Sequence, residues 1–190
     1  MPGIFQTVYQ HPLLSESDRV TISECHVQED IEKGTVMLKK EQVANEYYLL
    51  ESGLIRSHVH DYDNNEITTE FFVENEIVIV PSSLFQRQPS QETVVAVTDV
   101  VVFRIGFEDF QQLFHSIPGF SEWGRLWFTH QLFSVKQRSL EIITETATNR
   151  YLKLMKEKPQ IMQYVPLKQI ASYLGITDTS LSRIRKEIAQ

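Results

Sequence analysis

The feature that most constrains this chain lies near its carboxyl end, where two short apolar stripes flank one glycine. Ile170 and Leu174 lie four residues apart before Gly175, and Leu181 and Ile184 lie three apart after it. Spacings of three and four place apolar side chains on one face of an α-helix. Glycine readily adopts the left-handed backbone that ends a helix. The stretch therefore predicts two short helices folded tightly against each other about Gly175.

The details of this hairpin are typical of a DNA-binding helix-turn-helix. The first helix is expected over residues 167–174, and the Thr177 hydroxyl caps the second. Ala171 is small where the helices cross, and Ile176 completes the turn. A helical hairpin at the end of a bundle would show the same apolar pattern, but the hydroxyls and arginines of the second helix suit base edges and phosphates. The predicted DNA contacts are Lys168, Thr177, Asp178, Thr179, Ser182, Arg183, Arg185 and Lys186.

Charge is divided unevenly along the 190 residues. Residues 150–190 contain eight basic and three acidic side chains, a net charge of +5. Since the whole chain has a net charge of −7, residues 1–149 have a net charge of −12. A basic module on an acidic body suits a DNA-binding protein that makes its phosphate contacts at one end, although a solvated basic surface would give the same asymmetry. Neither a membrane span nor a signal peptide is found. We therefore expect a cytoplasmic protein with no membrane partner.

The middle of the chain predicts an antiparallel β-roll. Residues 1–30 are expected to form a helical lead, in which the run from Ser15 to Asp18 marks a helix start. Short β-branched and aromatic runs follow, separated by turn residues, and seven or eight strands at this spacing indicate a roll or barrel. The predicted strands are residues 35–38, 46–51, 54–60, 67–72, 77–80, 93–97 and 100–105.

Helices are predicted between the β-roll and the hairpin. A short one covers residues 107–115 and is broken by Pro118 and Gly119, a long one covers 121–144, and a third covers 149–158. Apolar residues recur every seven positions in the long helix, so one seam could pack against a second copy, against its own β-roll, or against both. We favour a homodimer, because a two-fold DNA site needs two hairpins about 34 Å apart. The predicted dimer contacts are Leu126, Phe133, Leu140 and Ile143.

This order of elements resembles the Crp/Fnr family of bacterial transcription regulators over nearly the whole chain. The match is closest in Ile170-Ala-Ser-Tyr-Leu-Gly-Ile-Thr177 and Leu181-Ser-Arg-Ile-Arg185. Gly34 and Gly53 fall where the family places the turn glycines of its cyclic-nucleotide-binding fold. The resemblance implies a dimeric, DNA-binding regulator whose β-roll senses a small effector, with RNA polymerase as a further partner.

The fold implied by the resemblance is of the α+β class. An effector-sensing, jelly-roll-like domain would occupy residues 1–120, and a long dimerisation helix with a hinge would occupy 121–147. The helix-turn-helix domain would occupy 148–190 and lack the β-hairpin wing of longer family members.

The effector site is expected to depart from the family pattern. The family's phosphate-binding cassette resembles Phe-Gly-Glu-Leu followed by Arg-Ser/Thr-Ala, in which an amide and an arginine hold the cyclic phosphate and a glutamate holds the ribose. Here Glu76 is kept, Asn75 replaces the glycine, and Ser90 stands in place of the arginine, so the cationic clamp is missing and Arg87, three residues earlier, is the one alternative cation considered. Cyclic AMP is therefore doubtful, and another small effector, or none, is expected. These four residues are the candidate effector site.

Two other functions fit parts of the sequence. His58 and His60, followed by Glu66, resemble the first motif of metal-dependent cupin enzymes, which are also β-rolls. A cupin needs a further histidine from a later strand, and residues 61–112 contain none, so we predict no metal and place both histidines on an exposed strand.

The single cysteine, Cys25, excludes a cysteine-ligated iron–sulfur cluster or zinc ribbon. Without a catalytic triad or phosphate loop no enzyme is predicted, and the second alternative is a ligand-binding module without a DNA role.

Overall fold

The amino-terminal part of the chain forms two short helices. The structure is a computed structural model that describes residues 2–188, so the predictions for residues 1, 189 and 190 lie outside it. Helix α1 spans Gly3–Val8 and α2 spans Glu16–Glu24. The Ser15 hydroxyl accepts a hydrogen bond from the Asp18 amide at 3.1 Å, and the Asp18 carboxylate accepts one from the Ser15 amide at 2.9 Å. This reciprocal capping box fixes the start of α2, as predicted.

Two four-stranded antiparallel sheets, called the roll below, follow these helices. Their strand orders are β1-β8-β3-β6 and β2-β7-β4-β5. All seven predicted strands are present, and the antiparallel β-roll is confirmed. The strands are β1 (Val27–Ile31), β2 (Val36–Leu38), β3 (Glu46–Ser52), β4 (Ile55–His60), β5 (Glu66–Phe72), β6 (Ile77–Val78), β7 (Thr93–Ala96) and β8 (Val100–Gly106).

Strand β1 begins where the sequence predicted the end of the helical lead, so that prediction is wrong for residues 27–30. The strand reads Val-Gln-Glu-Asp-Ile, and none of its five residues is buried. Its backbone pairs with β8 from Val27 opposite Arg104 to Ile31 opposite Val100. Ladder hydrogen bonds to an apolar neighbour, and not a buried face of its own, therefore hold β1. Helix α3 (Pro81–Gln86) was also not predicted.

Helix α4 spans Phe107–Ser116, and the long helix α5 spans Pro118–Thr144, three residues earlier than predicted. Pro118 occupies the first turn of α5, where a missing amide breaks no helical hydrogen bond. Gly119 lies directly against the segment that joins α1 to α2, because a Cβ at this position would be 2.4 Å from the Leu13 carbonyl oxygen. The Pro-Gly pair therefore starts the long helix and fits it to the amino-terminal segment.

Four helices, called the tail below, complete the described chain. They are α6 (Ala147–Glu157), α7 (Ile161–Tyr164), α8 (Leu167–Tyr173) and α9 (Asp178–Ile188). The tail and the roll bury one apolar cluster together, which we call the shared core. Its buried members are Leu54, Phe71, Val73, Tyr151, Leu154, Ile161, Val165, Ile170, Ala171, Leu174, Leu181 and Ile184. Three roll residues thus complete the core of the tail.

Within residues 2–188, no helix combines the length and the apolar character that a membrane crossing requires.

Candidate nucleic-acid interface

The hairpin formed by α8 and α9 turns at Gly175, which has a φ of +68°. The Ile176 amide donates to the Ala171 carbonyl at 3.0 Å and closes the end of α8. The Thr177 hydroxyl accepts a hydrogen bond from the Ser180 amide at 3.1 Å and caps α9. Leu181 is fully buried against α8 in the shared core. The predicted helix-turn-helix geometry is confirmed.

All eight predicted DNA contacts are exposed. Lys168 lies on α8, Thr177 caps α9, and the other six lie on the outer face of α9. The Arg183 side chain is 76% exposed, and its Nε lies 3.9 Å from a carboxylate oxygen of Glu187. Such an exposed pair is weak and leaves the guanidinium free to bind another anion. The face that could enter a DNA groove is therefore open.

The predicted dimer seam on α5 is also exposed. The exposed fractions are 47% for Leu126, 66% for Phe133, 42% for Leu140 and 81% for Ile143. The first turns of α5 instead bury their apolar residues against the rest of the chain, as Trp123 does at 6% exposure. A run of apolar side chains left in water on one helix is typical of a protein–protein contact. The seam residues themselves remain a prediction.

Polar contacts between the roll and the tail were not predicted from the sequence. The Lys158 ammonium, on the tail, donates to the Glu76 carboxylate at 2.8 Å and to the Phe71 carbonyl at 2.5 Å. The Thr68 amide on β5 donates to the Ser172 hydroxyl on α8 at 3.1 Å. We call this set, together with the contacts of Tyr173 described next, the roll–tail contact.

Tyr173 lies at the centre of the roll–tail contact. Its ring lies 5.1 Å from that of Phe71, between centroids, and the Arg138 guanidinium stacks on it at 3.9 Å. Its hydroxyl donates to the Glu70 carboxylate at 3.2 Å. Burial raises the pKa of Tyr173, and the Glu70 charge raises that pKa further, so the phenol stays protonated and remains a donor.

The first two candidate effector residues lie at the roll–tail contact. Asn75, which the resemblance places where the family has a glycine, has a φ of +68°, a backbone conformation that glycine adopts easily. The Glu76 carboxylate accepts from the Val73 amide at 3.0 Å as well as from Lys158. An effector that bound Glu76 would have to compete with, or include, the tail ammonium.

The other two candidates hold a different segment of the roll. The Arg87 guanidinium donates to the Ala44 carbonyl at 2.7 Å and to the Asn45 side-chain oxygen at 2.5 Å. The backbone amide of Ser90 donates to the Gln42 carbonyl at 2.8 Å. Arg87 is thus committed to backbone and amide oxygens, and a phosphate would have to displace them.

Two concave regions accompany these pairs. A groove of about 820 Å³ lies between α5, the tail and β5, and Asn75 and Glu76 are among its lining residues. A cavity of about 450 Å³ lies in the roll, lined by residues 42–46 and by Tyr48, Val78 and Val80. Arg87 and Ser90 bind the segment that lines the second cavity. In this structure the two pairs of candidates therefore border different spaces.

The paired histidines of β4 are only partly as predicted. His60 is exposed, but His58 is 7% exposed, so the expectation of an exposed strand is wrong for His58. A register shift between Ser57 and His58 brings His58 opposite Thr68 and His60 opposite Glu66. The ligand atoms of the two histidines and Glu66 lie within 4.8 Å of one another.

Comparison with known proteins identifies the fold. Residues 28–116, a range that contains most of the roll and all of α4, match the family model described as the cyclic nucleotide-binding domain. No curated protein sequence matches the chain significantly.

Three solved structures resemble almost the whole chain. CLP of Xanthomonas campestris, a c-di-GMP responsive global regulator, covers 92% of both chains at 16% identity and a TM-score of 0.71. The match to a Crp/Fnr family regulator from Eubacterium rectale covers 95% of this chain and 87% of that protein, at 17% identity and a TM-score of 0.72. FixK2 from Bradyrhizobium japonicum covers 86% and 84% at 15% identity and a TM-score of 0.72. The chain therefore has the Crp/Fnr fold, and the resemblance drawn from its sequence is confirmed.

Proposed function

We propose that the protein is a sequence-specific DNA-binding transcription regulator of the Crp/Fnr type and acts without catalysis. The observation that carries the proposal is the orientation of α9. Its apolar stripe is buried in the shared core, while the polar and cationic side chains of the opposite face, Arg183 among them, point into solvent. Helix-turn-helix proteins read the major groove with such a face.

The exposed seam of α5 supports a homodimer. Phe133 and Ile143 are large apolar side chains exposed to water in the single chain. Packing against a second copy of α5 would bury both. Two-fold symmetry would then present two α9 helices to two half-sites on the same side of the duplex. RNA polymerase is proposed as a further partner from the family resemblance alone. A protein that binds chromosomal DNA is proposed to act in the cytoplasm.

We further propose that the roll senses a small effector. The groove between α5, the tail and β5 offers a route for it, since a ligand there would touch both the roll and the tail. Lys158 and Glu76 face each other at one side of this groove, so a ligand that bound either one would change the roll–tail contact. The identity of the effector is left open, and cyclic AMP remains doubtful because Arg87 is held elsewhere.

DNA selection followed by fluorescence anisotropy tests the proposal. The protein should enrich particular sequences from a random library, with an affinity that falls steeply as salt is raised. Arg183→Ala should weaken the preferred site by about 1–3 kcal/mol and relax the base preference at one position, whereas Lys186→Ala should weaken all sequences about equally. Lys40→Ala, an exposed cation of the roll, is the matched control and should bind like the parent.

Two results would count against this function. If no sequence is enriched, the chain is a ligand-binding module whose tail has another role. If the library is enriched but Arg183→Ala and Lys186→Ala both bind like the parent, a surface other than α9 reads the DNA.

A further inference from the structure

The end of the β4–β5 hairpin brings two imidazoles and a carboxylate together on the roll. His60 lies opposite Glu66 across the strands, and His58 lies two pairs further along, opposite Thr68. Nε2 of His58 lies 3.9 Å from Oε1 of Glu66, and the imidazole centroids are 5.6 Å apart. Imidazole nitrogens combined with a carboxylate oxygen are a frequent donor set for Zn²⁺ and other divalent transition metals.

Arg56 holds the carboxylate without occupying all of it. The guanidinium, in a residue only 3% exposed, donates to Oε2 of Glu66 at 2.7 Å and to the Thr68 hydroxyl at 3.0 Å. The other carboxylate oxygen, Oε1, is the one that faces His58. Hydrogen bonds of this outer kind orient ligating carboxylates in metal sites. The Arg56 charge also opposes a cation, so we expect weaker binding than in a four-ligand structural zinc site.

We propose that His58, His60 and Glu66 bind one divalent transition-metal ion, with Zn²⁺ as the leading candidate and a fourth position open to water. Bonds of about 2.0–2.1 Å in a tetrahedral site place ligand atoms about 3.4 Å apart. The three ligand atoms must therefore close in slightly from their present spacing. His60 is exposed and the Glu66 side chain is 48% exposed, so both can turn toward the buried His58.

The location gives the ion a neighbour in the tail. Thr68, which lies opposite His58, also accepts a hydrogen bond from the Ser172 hydroxyl of α8 at 3.0 Å. The ion would thus lie next to the roll–tail contact. The site is proposed on its own ligands, and it stands whether or not the chain binds DNA.

Metal titration of the full chain tests the site. Protein free of any histidine tag is stripped with a chelator and titrated with ZnCl₂ by calorimetry, and then with Co²⁺ to record the visible spectrum. The parent should bind one Zn²⁺ per chain, and His60→Ala and Glu66→Gln should each weaken binding by at least about tenfold. His130→Ala, which removes an exposed histidine of α5, is the matched control and should bind like the parent.

His60 is exposed, so its loss should leave the circular dichroism spectrum unchanged and any loss of binding can be assigned to the ligand. The proposal is overturned if the parent takes up no Zn²⁺, or if His60→Ala and Glu66→Gln both retain the parent's affinity. A sulfur-to-metal charge-transfer band in the Co²⁺ spectrum would also overturn it, because that band would place the ion at Cys25.

Discussion

Phe71→Ala is predicted to destabilise the roll and the tail together. Phe71 is fully buried on β5, belongs to the shared core, and packs on Tyr173 at 5.1 Å between ring centroids. Truncation of a buried phenylalanine to alanine costs about 3–5 kcal/mol of stability. The cost is the sum of the lost free energy of burying the ring and the free energy of the cavity that remains. The tail has few other apolar contacts with the roll, so we expect the upper part of this range.

Urea denaturation followed by two signals measures this effect. Trp123 and Trp127 report on α5 and the amino-terminal core, and far-ultraviolet circular dichroism includes the helices of the tail. In the parent both signals should change at the same urea concentration, because the core is shared. Phe120→Ala is the control: it removes an equally buried ring from the other core and should cost a similar free energy.

The shared-core reasoning would be refuted by either of two results. One is a loss below about 1 kcal/mol in Phe71→Ala, which is ordinary for a surface position. The other is a parent protein in which circular dichroism changes well before tryptophan fluorescence, because this would mean that the tail unfolds alone.

Three further predictions concern the roll–tail contact, the dimer and the dependence on pH. Lys158→Ala removes hydrogen bonds from an ammonium that is 17% exposed and should lower the free energy of unfolding by about 1–3 kcal/mol. The control Lys156→Ala, at an exposed position, should change the free energy of unfolding by under about 0.5 kcal/mol. If urea denaturation gave the same loss for both variants, the Lys158 hydrogen bonds would not stabilise the fold. Phe133→Glu places a charge in the proposed seam and should give monomers in sedimentation, whereas Ser134→Glu beside it should remain dimeric; an intact Phe133→Glu dimer would place the interface elsewhere. Burial lowers the pKa of His26 to about 4, so the unfolded chain takes up the proton first. Stability should be complete above pH 6.5 and fall towards pH 4 by up to about 1.4 kcal/mol per unit. His26→Gln should flatten that slope in denaturation across pH, and an unchanged slope would assign it to other groups.

The elements that the sequence predicted well are those with a local signal. The stripe of Leu181 and Ile184 and the hydroxyl of Thr177 lie within one helix, and spacing alone places them. Strand β1 has no such signal, because its polar residues are held by the backbone of β8, more than sixty positions away. Local pattern could not have revealed it.

The candidate site divides in the same way. Exposure of Arg183 follows from the helix period, but the pairing of Lys158 with Glu76 joins residues 82 positions apart and depends on how the tail docks. The histidine cluster depends on one strand irregularity, the register shift after Ser57, which sets His58 opposite Thr68. The residues around Ser57 contain no sequence signal that would predict this register shift.

Completion of the tail by three roll residues limits how this protein can be re-engineered. A hybrid that joined the tail to an unrelated domain would leave the tail residues that pack on Leu54, Phe71 and Val73 facing water and would tend to aggregate. The transplantable unit is therefore the tail together with the matching patch on its host sheet. A designer would have to transfer those three side chains together with helices α6 to α9.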